Sequence, residues 1–250
     1  VTIEALTLAV ALLLGFVALM LIFITRVRNG VSPNLRRIQA YDSLKTFTSR
    51  SIETGRPLHL SLGTGSTINA TTADSLAGLT VLHHLAERSA VTGISPTVSM
   101  ADPTVMLFAQ NIATAAQGND PRRIAQAHYS VRWVAPQPAA YAAGVMSMFG
   151  VDKVESAALI GDFGDEYLLM GEAATQHDIA QIGGASHPNT LPFVYASTPN
   201  ALLGEEIYAA GAYLQKNPAH IGSLLAQDTM RWIIVAIMLG GVTLATLGWW

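Results

Sequence analysis

Two short stretches carry the residues that could do chemistry. The first is Gly63-Thr64-Gly65-Ser66-Thr67, which ends an apolar run alternating through Leu58, Leu60 and Leu62. Its glycines permit positive φ and the close approach of a phosphate, and the N-terminus of a following helix would face an anion. The second is Gly161-Asp162-Phe163-Gly164-Asp165-Glu166, at the equivalent point of the second half of the chain. Three carboxylates at a strand end could hold a divalent cation or serve acid–base chemistry. With Asp102, which closes another strand, the candidate ligand pocket comprises Gly63, Thr64, Gly65, Ser66, Thr67, Asp102, Gly161 and Asp162.

A plainer reading stands beside each. The dinucleotide fingerprint is incomplete, because its third glycine position falls on Ile68. Asp102 lies about 37 residues beyond Gly65, whereas the acidic residue of that fingerprint lies about 20 residues on. A tight strand–helix turn is therefore preferred for the first stretch. For the second, the preferred reading has the acids complementing a helix N-terminus. Glu205 and Glu206 fall inside an apparently apolar helix and are read as solvent-exposed.

No catalytic set can be assigned. His83 and His84 are adjacent and diverge on a helix, His83 and Glu87 are one turn apart, and His59, His128, His177, His187 and His220 are dispersed. No metal site and no cofactor are expected. There is no Gly-x-Ser-x-Gly elbow. The absence of cysteine excludes disulfides, thiolate-bound metals and thiol catalysis.

The elements that must position these residues alternate. Strands are expected at 58–62, 97–101, 129–134, 155–160, 178–182 and 191–196. Helices are expected at 73–89, 103–116, 138–149, 166–174 and from Thr198-Pro199 to about Gln215, with a short one after Asp120-Pro121. Such alternation means a parallel sheet covered on both faces. The expected fold class is α/β, a Rossmann-like sheet of about six strands. Its two similar halves would create a topological switch point, where α/β domains place ligands.

Only 12% of the 250 residues are charged, about half the usual share of a soluble domain. Residues 5–25 and 232–250 contain no charge at all. Each is long enough as a helix to match a bilayer core of roughly 30 Å. Arg26, Arg28, Arg36, Arg37 and Lys45 follow the first, and Lys216 and Arg231 precede the second. The positive-inside rule then places the intervening region in the cytoplasm and both termini outside, as expected for a bacterial inner membrane protein. The expected organisation is a transmembrane helix at 1–25, a basic juxtamembrane segment at 26–57, a cytoplasmic α/β domain at 58–230 and a second transmembrane helix at 231–250. Ser32-Pro33 could cap and open a helix in the basic segment, either lying on headgroups or, as preferred, packed on the domain. Small residues one turn apart (Ala11 and Gly15; Ala236 and Gly240; Gly241 and Ala245) suit helix packing in lipid. Trp249 and Trp250 suit interfacial anchoring. The net charge of −3 gives no sign of nucleic-acid binding.

The motifs Leu60-Ser61-Leu62-Gly63-Thr64-Gly65, Ala101-Asp102-Pro103-Thr104, Ala140-Tyr141-Ala142-Ala143-Gly144-Val145-Met146, Ile160-Gly161-Asp162-Phe163-Gly164 and Leu203-Gly204-Glu205-Glu206-Ile207-Tyr208 occur in this order. The series resembles an uncharacterised family of prokaryotic membrane proteins, a domain of unknown function found in bacteria such as the green non-sulfur group. The resemblance implies an α/β domain attached to membrane helices. It carries over no activity, substrate or catalytic residue.

The leading functional expectation is a membrane-anchored, non-catalytic assembly or binding subunit. Its partners would be the lipid bilayer and either further copies of itself or a larger membrane complex. The alternatives are an enzyme or sensor binding a nucleotide or phosphate ligand at 63–67, and an accessory subunit of a transporter or respiratory complex.

Overall fold

The computed structural model describes residues 3–31 and 33–247. The chain forms two compact units: residues 37–214, and residues 1–36 together with 215–250.

The larger unit is an α/β domain. Its strands are β1 (Leu58–Gly63), β2 (Thr97–Met100), β3 (Val131–Trp133), β4 (Ser156–Asp162), β5 (Ala180–Ala185) and β6 (Ala201–Leu203). All pair in parallel, in the order β3-β2-β1-β4-β5-β6. The chain leaves β1 toward one edge through β2 and β3, then returns to build β4, β5 and β6 toward the other. The switch point therefore lies between β1 and β4. Every residue of β1 is buried, as a central parallel strand covered on both faces requires.

Alternation along β1 sends Leu58, Leu60 and Leu62 to one face and His59 and Ser61 to the other. On the leucine face lies α3 (Thr72–Thr92). Gly78 lets it come close: a Cβ there would stand 2.7 Å from the Ile160 carbonyl and 2.8 Å from Leu62 Cδ2. On the opposite face, α6 (Pro138–Val151) and α7 (Glu166–Gln176) pack around β4. Tyr141, Val145, Phe149, Leu159, Phe163, Tyr167 and Met170 form that core. The edges carry α4 (Pro103–Ala115), α5 (Pro121–Ser130) and α8 (Leu191–Ser197). Before the sheet, α2 (Gln39–Thr54) buries Tyr41, Leu44 and Phe47. The Tyr41 ring stacks on Tyr213 at 5.4 Å, and its hydroxyl donates to the Glu206 carbonyl at 2.7 Å. The apolar stripe of α2 is thus spent on the domain rather than on headgroups.

Three local expectations are corrected. Residues 191–196, expected as a strand, form helix α8. Pro192 lies in its first turn, where its missing N–H costs nothing. The sixth strand is β6, inside the stretch expected as a long helix. Thr198 Oγ1 donates to the Gln181 carbonyl at 2.7 Å, which helps seat the chain beside β5. Gly204, at φ +61°, then turns the chain into a 3-10 turn (Gly204–Ala209), followed by α9 (Ala210–Tyr213). Glu205 and Glu206 therefore lie in that turn and not within an α-helix. Lastly, Pro33 does not open a helix: residues 33–38 are non-helical and α2 starts at Gln39. Ser32 lies outside the described residues.

The smaller unit pairs α1 (Ile3–Arg28) with α10 (Pro218–Thr246). Both are long and apolar enough to cross a membrane. Expected close-packing positions Gly15, Gly240 and Gly241 have nothing within 4 Å of where a Cβ would stand. The close approach is at Gly222 instead, where a Cβ would meet Ile24 Cγ1 at 2.6 Å and the Ile24 nitrogen at 2.8 Å. Trp249 and Trp250 lie outside the described residues.

Gly78→Ala should lower stability by about 1–3 kcal/mol through overpacking of α3 on β1 and β4. Gly150→Ala, whose nearest neighbour would be His177 Cε1 at 3.7 Å, should be neutral or slightly stabilising. Thermal unfolding of the detergent-solubilised chain checks both.

Candidate functional site

The C-terminal ends of β1 and β4 meet backbone to backbone. A Cβ on Gly63 would lie 2.0 Å from the Asp162 carbonyl oxygen, and one on Gly161 would lie 2.1 Å from that of Leu62. Gly63 also has φ +78°, so glycine is required there twice over. The register shifts between Ser61 and Gly63, and Thr64 N–H then donates to the Asp162 carbonyl at 2.9 Å. Gly65 is held as tightly, since a Cβ would stand 2.7 Å from Ser75 Oγ and 2.9 Å from Asp162 Cβ. The glycines that suggested a phosphate loop thus allow strand, turn and helix to touch one another.

The eight candidate residues gather at two adjoining corners, β1/β4 and β1/β2. At the second corner Asp102 caps α4. Its carboxylate accepts from Thr104 N–H at 2.8 Å, from Val105 N–H at 3.1 Å and from the Thr104 hydroxyl. Burial pushes its pKa up, but these bonds and the nearby Ser66 hydroxyl outweigh it and hold the carboxyl below its ordinary value. The Thr67 and Thr104 hydroxyls lie 2.9 Å apart. Ser66 N–H donates to Thr71 Oγ1 at 2.9 Å.

The first corner is acidic. Burial, reinforced by the charges of Asp74 and Glu166, raises the Asp162 carboxyl above the ordinary range, with His187 opposing. Asp74, in the first turn of α3, accepts from the Tyr208 hydroxyl at 2.6 Å. That bond ties the turn after β6 to the helix after β1. Glu166 folds back to accept Gly164 N–H at 2.9 Å, so it serves the start of its own helix. Just before α3, Asn69 Oδ1 accepts from Thr71 N–H at 3.0 Å, and the Asn69 carbonyl accepts from Thr72 N–H at 3.2 Å. Moreover α3 begins at Thr72, seven residues after Gly65 and not directly on the turn. Such an opening accepts hydrogen bonds and attracts cations, the opposite of what a phosphate needs. Among the described residues, no three His, Asp or Glu side chains are placed to hold a metal ion.

A second polar feature was not anticipated. His59, Ser61, Ser99 and Tyr141 are all fully buried. His59 Nε2 and Ser99 Oγ are 2.9 Å apart, and the Tyr141 hydroxyl lies 2.6 Å from Ser61 Oγ and 3.1 Å from Ser99 Oγ. Gly63 N–H donates to that same hydroxyl at 3.3 Å. Burial pushes the Tyr141 phenol up to about 12. Burial, and then the charge of Arg132, pushes the His59 imidazole down to about 3. The signal in the sequence is polar residues two apart on a central strand, His59 and Ser61, with Ser99 beside Ser61 on β2. Nothing in the helix around Tyr141 marks it as their partner.

The family model "Domain of unknown function (DUF6754)" matches residues 2–250. The chain belongs to this family. No curated protein and no solved structure matches it. DUF6754 membership thus covers both the α/β unit and the two apolar helices, and the site is read from its geometry.

Tyr141→Phe should cost about 1–3 kcal/mol, because it leaves the Gly63 N–H and two serine hydroxyls short of a partner. His59 has a folded pKa below its unfolded value of about 6.5, so the unfolded state binds the extra proton. Stability should be full above about pH 6.5 and fall as pH drops toward 3, by up to about 1.4 kcal/mol per pH unit from this group. His59→Gln should flatten that slope, as urea titrations across pH 4–7 would show.

Proposed function

We propose that this chain is a membrane-anchored, non-catalytic assembly or binding subunit, with its Rossmann-like domain in the cytoplasm and both chain ends outside. The bacterial inner membrane is the setting that the positive-inside count suits. The observation carrying the non-catalytic reading is the state of the switch point. The amides of Thr64, Ser66, Thr104 and Val105 already have internal acceptors, and the adjoining carboxylates would repel an anion. The anchoring reading is supported by the two apolar helices and by the basic residues Arg26, Arg28, Arg36 and Arg37 after the first.

The alternative is a nucleotide- or phosphate-binding enzyme or sensor at residues 63–67. It draws on position alone, since this corner is where α/β domains usually hold ligands.

Calorimetry of the solubilised chain against ATP, GTP, NAD and inorganic phosphate separates the two. No heat of binding is expected for any of them. Saturable binding of one, lost in Gly65→Val, would replace the proposal with the alternative.

A further inference from the structure

We infer that Arg26, Arg28 and Lys216, at one end of the apolar helix pair, form a collar that takes anionic phospholipid headgroups. This rests on the membrane-anchored reading and adds the class of lipid and the residues that meet it.

The helix contact decides which charges share an end. A Cβ on Gly222 would touch Ile24. On α1, positions 15, 16, 19, 20, 23, 24 and 27 are half-buried; on α10, positions 221, 222, 225, 226, 229 and 230 are buried or half-buried. With Ile24 beside Gly222, a parallel pair would set position 15 beside 213, before α10 begins at Pro218. The two helices therefore run antiparallel over this stretch. Arg26 and Arg28 lie level with the start of α10, which Lys216 precedes by two residues.

This end holds cations without acids. In residues 1–36 and 215–250, which make up the smaller unit, the acids are Glu4 and Asp228. Glu4 is in the first turn of α1, at its far end. Asp228 lies six residues past Gly222 and pairs with Arg231 at 3.8 Å. Arg26, Arg28 and Lys216 are exposed, and among the described residues none of the three has an ion pair.

The surface next to these cations is apolar. Val17, Leu21 and Ile22 are exposed along α1. Residues 5–25 carry no charge and span roughly 30 Å as a helix, the thickness of a hydrocarbon core. Arg26 and Arg28 follow at once, at the depth of the headgroups. A phospholipid matches this sequence of surfaces, with its phosphate on the cations and its chains along the apolar side chains. A soluble anion would meet the cations alone. Guanidinium groups suit phosphate through paired N–H donors, and each Lys or Arg near an anionic leaflet adds roughly five-fold in affinity. Arg26 and Arg28, two apart on a helix, point to different sides, and Lys216 comes from the other strand of the hairpin. The arrangement is therefore a collar for several headgroups and not a pocket for one.

Spin-labelled lipids test this with the full chain in phosphatidylcholine vesicles. A trace of labelled phosphatidylglycerol should be immobilised at the protein several-fold more than labelled phosphatidylcholine. Arg26→Gln, Arg28→Gln and Lys216→Gln together should remove that preference, whereas Arg26→Lys with Arg28→Lys should keep it. Arg50→Gln with Arg122→Gln, at exposed cations of the α/β unit, should leave it intact. Sodium chloride should weaken it, and inorganic phosphate at the same ionic strength should weaken it no further. No preference in the unaltered chain, a preference that survives the triple change, or one lost with Arg50 and Arg122 would overturn the inference. So would displacement by phosphate alone, which assigns the cations to a soluble anion. In each of these cases the chain still resists extraction from native membranes by alkaline carbonate; its release there would instead overturn the anchoring.

Discussion

The close backbone contact between the ends of β1 and β4 is the constraint on which the α/β unit depends. Gly63 and Gly161 bring the two strand ends nearer than any side chain would allow, because a Cβ on either would fall about 2 Å from a carbonyl oxygen. Gly78 extends the same device to the helix layer, where α3 meets both strands. Once the strands are this close, Thr64 finds the Asp162 carbonyl and the corner is bridged by the chain itself. A fold that elsewhere leaves a crevice for a ligand here uses its glycines to narrow it.

Long-range polar ties hold the layers in register around that contact. Tyr141 carries α6 to β1 and β2 through Ser61, Ser99 and the Gly63 amide. Tyr41 carries α2 to the turn after β6, and Tyr208 carries that turn to α3. Tyr41 and Tyr141 are buried phenols whose hydroxyls have found partners, the usual way a buried tyrosine is accommodated, whereas Tyr208 is exposed and reaches Asp74 from the surface. Burial raises the pKa of each, so all three remain neutral donors at ordinary pH.

The architecture was legible because its signals are local. Alternating leucines, Asp102-Pro103 and Asp120-Pro121 at helix starts, and uncharged runs of bilayer length each report on their own segment. The miss at 191–196 came from a short apolar run that suits strand or helix equally, and Pro192 in the first helical turn decides for helix. The meaning of Gly63 and Gly65 was not legible, since a glycine that admits a phosphate and one that admits a neighbouring strand are identical in sequence. Tyr141 was invisible for a related reason. Its partners lie 42 to 80 positions away, and only the parallel register of β1 and β2 brings them together. The same holds for Gly222, whose neighbour Ile24 comes from the far end of the chain.

The central claim is that the switch point is committed to internal bonding rather than held open for an anion. Residue-resolved hydrogen exchange on the solubilised full chain tests it most directly. The account predicts slow exchange at the Thr64 and Val105 amides without any ligand, at rates unchanged by ATP or NAD. Fast exchange at those two amides, slowed on adding a nucleotide, would contradict it.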